Sequence, residues 1–333
     1  MGRHRKNREF ELIARHFAPL SAAEPGAFAL TDDAAVLALE PGRRLVVTTD
    51  TMVAGVHFLP DNPAGTVAAK LLRVNLSDLA AMGAKPLAYT LSAALPENVE
   101  DGWLERFAQA LAADQASFRV TLIGGDTVAT PGPLTLTLCA LGTVAEGREL
   151  RRSGARPGDV VYVSGTIGDA ALGLAALRGE LPGLAPELRE ALGERYLRPQ
   201  PRVALGQRLS GLAHAAADIS DGLVADLGHI CAASGTRATV EAAHIPLSPA
   251  GRAVLEADAE RMTTVLAGGD DYELLFTAPP ESADTLAGLS RELDLPLTAI
   301  GRIDETKGDG VRVIDENGRR IDLVENGYRH FRS

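Results

Sequence analysis

The chain has 333 residues, and 33 Lys+Arg against 44 Asp+Glu give it a formal net charge of −11. At roughly 100–200 residues per domain the length predicts two domains, and 46% hydrophobic with 23% charged residues is ordinary globular usage, which excludes a disordered chain. The acidic balance argues against nucleic acid as the main partner, since backbone phosphates are held by clustered Lys and Arg and only the start, Arg3-His4-Arg5-Lys6, supplies such a cluster.

Phe10, Ile13 and Phe17 fall at helical spacing and predict an opening amphipathic helix over residues 9–17. Arg44–Asp50 reads as a strand ending at an acidic residue, followed by a turn with Gly55 and Pro60. From Thr66 to Met82, Leu71, Leu72, Leu76 and Leu79 recur every three or four residues, with Asn75 and Asp78 one turn apart on a neighbouring face. Leu87–Leu95 (strand), Val99–Ala116 (helix), Val120–Ile123 (strand) and Leu134–Val144 (strand) complete a first α/β unit. The polar, Gly/Pro-bearing stretch 145–158 marks a boundary, which gives domains of residues 1–147 and 148–333. Beyond it the pattern predicts a strand over 160–164, a helix after Gly168, helices near 187–196 and 202–212, and a helix over 222–233 after Asp218. Strands at 237–241, 272–277 and 297–303, a helix at 282–293 and a turn at Asp315–Gly318 between two short strands complete the chain. Strands do not alternate cleanly with single helices, so the expected class is α+β rather than a doubly wound parallel sheet.

No apolar run approaches the roughly 18 residues of a spanning helix, and the basic start leads into charged residues rather than a secretory core. The expectation is a soluble, cytoplasmic protein with no membrane partner. Two cysteines, Cys139 and Cys231, are too few for a disulfide framework or a Cys-rich zinc site and read as small buried apolar residues.

The aspartates carry the chemical signal. They cluster at Asp32-Asp33, Thr49-Asp50-Thr51, Asn75-Leu-Ser-Asp78, Gly124-Gly-Asp126-Thr127, Asp218-Ile-Ser-Asp221-Gly222 and Gly268-Gly-Asp270-Asp271, each read at an element end. Carboxylates with hydroxyl neighbours are hard oxygen ligands suited to Mg²⁺, and adjacent glycines let backbone N–H groups approach phosphate. Turn and N-cap preferences explain any one cluster alone, but not Gly-Gly-Asp twice beside Asp-x-Ser-Asp-Gly. Together they point to an Mg·nucleotide site. A P-loop, an H-E-x-x-H zinc motif and a G-x-S-x-G elbow are all absent.

In order and over nearly the whole chain, the motifs Asp32-Asp-Ala-Ala-Val, Thr49–Leu59, Val74–Ala84, Gly124–Thr127, Arg152-Ser-Gly-Ala, Asp218–Leu223, Gly268–Leu274 and Gly327–Phe331 are specific. The chain resembles the thiamine-monophosphate kinases, within an ATP-binding superfamily that includes aminoimidazole ribonucleotide synthetase and selenophosphate synthetase. The resemblance implies phosphoryl transfer from ATP to thiamine monophosphate, giving thiamine diphosphate and ADP, with several Mg²⁺ ions as cofactors. It implies the two-domain fold of that superfamily, an N-terminal α/β domain forming a sheet or barrel across a homodimer and a C-terminal α+β domain. Carried over by position, Asp33, Thr48, Thr49, Asp50, Asp78, Asp126, Asp218 and Asp221 belong to the magnesium sites. Of these, Asp50, Asp78, Asp126 and Asp218 are the catalytic set, while Gly125, Asp126, Arg152 and Ser220 contact ATP. His57, Asp270 and Tyr328 face the thiamine phosphate, His57 nearest its phosphate end. His229 and Cys231, on the helix after Asp221, are assigned to packing.

Two positions depart from the family pattern: Thr31 replaces a common Gly, and Asp270 replaces the usual Glu. Rival readings are another superfamily member or an inactive nucleotide sensor. The first is opposed by the absence of any cysteine before Cys139 and of a C-terminal one, and by the stretch Gly55-Val-His-Phe-Leu59, which the aminoimidazole ribonucleotide synthetase branch lacks. The second is opposed by the presence of every acid the family's metal sites require.

Overall fold

A computed structural model describes residues 10–305, 308, 310–323 and 327–328. The basic start and Arg329–Phe331 of the last motif lie outside the described residues. The described chain divides into two units, one of residues up to Leu79 with Ala84–Gly147, the other of Ala80–Gly83 with residues from Arg148 onward.

In the first unit the opening helix is π-helical over Ile13–Phe17 and passes into a 3₁₀ turn at Ala18–Ser21. Then come β1 (Arg43–Val53), α1 (Ala64–Ala81), β2 (Lys85–Pro96), α2 (Asp101–Phe118), β3 (Thr121–Thr130) and β4 (Thr135–Ala145). The sheet order is β1-β4-β2-β3, with β2–β3 parallel and the other pairs antiparallel. The pleat sorts the side chains. Leu136, Leu138 and Ala140 of β4 and Tyr89, Leu91 and Ala93 of β2 are buried on one face, where Leu79 of α1 comes so close to β4 that a Cβ on Gly142 would lie 3.1 Å from it.

The leucine periodicity of α1 signals a core helix, since only Gly65, Arg73 and Asp78 escape full burial. Asn75 is therefore not on a polar edge; it is fully buried and its Nδ2 donates to the Leu71 carbonyl. Arg73 is held by Asp114 of α2 through two 2.8 Å contacts.

Register places Leu45, Val47, Thr49 and Thr51 of β1, Thr137, Cys139 and Leu141 of β4, Ala88, Thr90 and Ser92 of β2, and Asp126 and Val128 of β3 on the opposite face. Segment 25–37 covers one end of that face through Ala27, Leu30, Ala35 and Leu37. Elsewhere it is open, with Val47 56% and Val128 49% exposed. Cys139 is accordingly only half-buried, unlike the expectation for it, while Cys231 is buried in the other unit.

β3 does not stop at Ile123, where the pattern ends, but runs on to Thr130. Gly124-Gly125 looks like punctuation in the sequence, yet a Cβ on Gly125 would sit 1.9 Å from the Leu91 carbonyl oxygen. Glycine there lets the parallel strands close up rather than ending one of them.

The second unit holds β5 (Val160–Ser164), α3 (Asp169–Leu177), α4 (Pro186–Leu197), α5 (Val203–Leu209), β6 (Ala215–Asp218), α6 (Leu223–Ser234) and β7 (Ala238–Glu241). These are followed by α7 (Pro249–Ala257), α8 (Met262–Ala267), β8 (Leu274–Ala278), α9 (Ala283–Glu292), β9 (Leu297–Ile303) and β10 (Val311–Ile314). The pattern had not separated β6, α7 or α8. The sheet order is β10-β7-β9-β5-β8-β6, antiparallel except for β10–β7.

Alternation builds a core on each side of this sheet. Val161, Val163, Ala215, Ala217 and Leu275 join Leu223, Leu227, Ile230 and Cys231 of α6 and Val254 of α7. Tyr162, Ala216, Leu274 and Phe276 join Leu205 and Leu209 of α5 and Leu286 and Leu289 of α9, with Tyr162 and Phe276 stacked at 5.4 Å. Both units are mixed α and β with mostly antiparallel sheets, which is an α+β fold. No helix among the described residues is long and apolar enough to cross a membrane.

Candidate functional site

In the first unit three of the predicted ligands meet on the helix-covered face of the sheet. Thr48 Oγ1 donates to Asp78 Oδ2 at 2.5 Å, and Asp50, two residues along β1, shares a hydrogen bond with the Asp78 carboxyl. Burial, then the charge of Asp78 and this shared bond, push Asp50 up to about 7 from its ordinary 3.8. Two carboxylates and a hydroxyl in contact form an all-oxygen donor set whose mutual repulsion a divalent cation would relieve. The donor chemistry fits Mg²⁺.

Thr49 and Asp126 are not part of this group: register puts them on the open face, Thr49 donating to the Leu138 carbonyl and Asp126 beside Ser92. Asp33 is exposed on the segment that covers one end of that face. The Thr31 departure does not distort it, because Thr31 sits at φ −104. The left-handed residues are the preceding Phe28, Ala29 and Leu30.

His57 lies inside a tight turn in which Gly55, at φ 82, donates to the Phe58 carbonyl. Its Nδ1 accepts the Val53 N–H at 3.0 Å, which assigns the ring proton to Nε2 and makes that atom a donor. Buried Lys70 reaches the His57 carbonyl at 3.3 Å.

In the second unit β6 delivers buried Asp218 and then the turn Ser220-Asp221-Gly222. Two other predicted pieces are stitched to this turn. Asp270 donates its N–H to the Ser220 carbonyl at 2.9 Å, and Tyr328 donates its N–H to the Asp221 carbonyl at 3.0 Å. Gly269 permits the first approach, since a Cβ there would lie 2.1 Å from the Ser220 oxygen. Ser220, Asp221, Asp270 and Tyr328 are therefore gathered at one place, whereas Arg152 is exposed on the segment before β5.

The acids of the Gly268–Leu274 stretch go to three different sets of partners. Asp270 and Tyr272 both have positive φ, 70 and 51, and the Tyr272 hydroxyl donates to Asp270 Oδ1 at 3.1 Å. Buried Asp271 accepts from the N–H groups of Gly168 and Ala170 at the head of α3, and burial raises it to about 8 in spite of them. Glu273 has a fully buried side chain and holds Ser164, Arg195 and Arg202.

Asp226 was not singled out by the sequence, and His229 was assigned to packing. Asp221, Asp226 and His229 bring ligand atoms within 4.8 Å of one another, and His229 is exposed rather than packed. Asp226 Oδ2 accepts from the N–H groups of Ser220, Asp221 and Gly222 at 3.0, 3.1 and 3.2 Å. Burial and the charge of Asp221 raise it to about 7 against the pull of those three donors. An aspartate four residues after Gly222 was the available signal, and it reads as an ordinary first-turn acid.

The two units match the N-terminal domain of AIR synthase related proteins over residues 31–144 and the C-terminal domain of the same proteins over residues 156–314. The chain thus has the architecture of that class. It is 43% identical over 325 residues to the thiamine-monophosphate kinase of Caulobacter vibrioides, covering 97% of this chain and 90% of that protein. The crystal structure of thiamine-monophosphate kinase from Stenotrophomonas maltophilia is 47% identical, with a TM-score of 0.78 over 85% of this chain and 89% of that one. AaThiL, solved in complex with AMPPCP and TMP, is 32% identical, with a TM-score of 0.77 over 93% of this chain and 98% of that one. The chain belongs to the thiamine-monophosphate kinase family.

Proposed function

We propose that the chain transfers the γ-phosphoryl group of ATP to thiamine monophosphate, yielding thiamine diphosphate and ADP, with Mg²⁺ as cofactor and as a cytoplasmic homodimer. The observation that supports the metal requirement is the Asp50–Asp78 contact beside Thr48, a carboxylate pair whose mutual repulsion a divalent cation would relieve.

Within the first unit Thr48, Asp50 and Asp78 would hold one Mg²⁺ ion, and Asp33, Thr49 and Asp126 would serve a separate one on the open face; within the second unit Asp218 and Asp221 would be metal ligands. Magnesium, when bound, supplies charge neutralisation between a triphosphate and a phosphate monoester that would otherwise repel. The attacking oxygen belongs to a phosphate whose second pKa is about 6, so no side chain has to act as a strong base. His57, protonated at Nε2, donates to the acceptor phosphate and fixes its direction. Ser220 and Arg152 supply donors to ATP, and Gly125 sets the strand approach that projects Asp126. Asp270, one methylene shorter than the usual Glu, accepts from the Tyr272 hydroxyl, and with Tyr328 it would face the thiamine phosphate. These contributions are positioning and electrostatic, which suffices for in-line phosphoryl transfer without a phosphoenzyme.

The open face supports the homodimer, because Leu45, Val47 and Val128 leave an apolar patch on a sheet whose other face is covered. Purified Asp78→Asn and Asp126→Asn are each expected to lose turnover while keeping a native circular dichroism spectrum. Wild-type rates in either would remove that residue from the mechanism.

A further inference from the structure

The turn Ser220-Asp221-Gly222 at the head of α6 has the form of an anion site: successive N–H groups converge, and the positive end of the helix dipole lies behind them. In this protein the converging amides are already occupied. One oxygen of Asp226, itself 1% exposed, takes all three N–H groups, and Gly222, at φ 128, gives the backbone the bend that aims them inward. The helix has no side-chain cap at Gly222, so this carboxylate from within its first turn is what satisfies the turn's donors. The other oxygen, Oδ1, is buried without a hydrogen-bond partner among the described residues. Asp221 and His229 each bring a ligand atom within 4.8 Å of one of the Asp226 carboxylate oxygens. The turn is locked on its outer side as well, by the Asp270 and Tyr328 N–H groups on the Ser220 and Asp221 carbonyls.

We propose that Asp226 is a positioning residue for the phosphoryl transfer: it fills the amide nest with the protein's own negative charge, so that the turn recruits a divalent cation through Asp221 instead of a phosphate through its N–H groups. The inference rests on the kinase reading for its purpose, but the chemistry is local. A nest left empty beneath Asp221 would add positive potential where a cation has to sit. Filled, it adds negative potential and holds the backbone that carries Asp221. It also reverses, at this cluster, the expectation that glycine-flanked amides approach phosphate.

Asp226→Asn keeps the size and can still present one acceptor oxygen to the three amides while removing the charge. Binding of Mn²⁺, followed by its electron paramagnetic resonance signal in the full-length protein without nucleotide, is expected to weaken about tenfold at one site. The Mg²⁺ concentration that half-saturates turnover should rise by a similar factor, and kcat at saturating Mg²⁺ should change less. A residue serving only the fold would lower thermal stability and leave Mn²⁺ affinity where it was, and that result overturns the proposal. Hydrogen exchange on the wild-type protein adds a test that needs no variant. The amides of residues 220–222 are expected to be protected before Mg·ATP is added and unchanged after it. Free exchange that becomes protected only with nucleotide would identify a phosphate nest and refute the assignment. Weakened Mn²⁺ binding in a protein that makes no thiamine diphosphate would leave the role of Asp226 standing and overturn the kinase reading alone.

Discussion

Asp78→Asn should make the metal-free protein more stable and the metal-loaded protein less so. Asp50 is raised from 3.8 to about 7, which at 1.36 kcal/mol per pKa unit is about 4 kcal/mol. Asp50 keeps some solvent contact, so about 2 kcal/mol is the figure to carry forward. A carboxyl whose folded pKa lies above its unfolded value favours folding when protonated. Its contribution is complete below the unfolded pKa and is lost as pH rises through about 7. Burial is the larger cause and survives the substitution, so removing the Asp78 charge should return about 1 kcal/mol at pH 8 relative to pH 4. The new amide oxygen still accepts from Thr48. Saturating Mg²⁺ acts oppositely, since a cation at a hundred times its dissociation constant stabilises the wild type by about 2.7 kcal/mol and the variant by much less. Urea unfolding by circular dichroism, in EDTA and in Mg²⁺ at both pH values, should show the two stabilities change order when metal is added at pH 8 and stay close to each other at pH 4. A variant less stable than wild type in EDTA at pH 8, or equal stabilisation of both by Mg²⁺, would refute the reasoning.

Glu273→Ala is expected to cost about 3–5 kcal/mol, because it removes the buried carboxylate that Arg195 and Arg202 share; thermal unfolding should fall by about 10 °C, and an unchanged midpoint would contradict the packing described. Val47→Asp puts a charge on the open face of the first sheet and should convert a dimer into a monomer by light scattering, the circular dichroism spectrum being unaltered. An unchanged mass would place the subunit contact elsewhere.

Much of the fold was legible because its elements obey simple periods. The recurrence of Leu71, Leu72, Leu76 and Leu79 located α1, and the apolar runs at 87–95 and 134–144 located β2 and β4 to within two residues. The sequence misled where one residue type serves two purposes. Gly125 reads as a strand end but is a packing requirement within β3, visible only once Leu91 lies opposite. Asn75 shares the polar character of Asp78 yet is consumed by its own helix, because periodicity gives direction and not what fills the space there. The short β6, Ala-Ala-Ala-Asp, lacks the β-branched residues that mark strands and is held by pairing with β8. At the site, motif order named the acids but not their partition: Thr48 and Asp50 face α1, while neighbouring Thr49 faces the other way, as the pleat requires. Asp226 escaped notice because its role depends on a carboxylate folding back over three amides, which no local pattern encodes.

The central claim is tested most directly by incubating the purified chain with ATP, Mg²⁺ and thiamine monophosphate, with free thiamine as a parallel acceptor, and resolving the products by chromatography. The account predicts thiamine diphosphate and ADP in equal amounts, both abolished by EDTA. ATP binding without thiamine diphosphate, or product formation undiminished in EDTA, would contradict it.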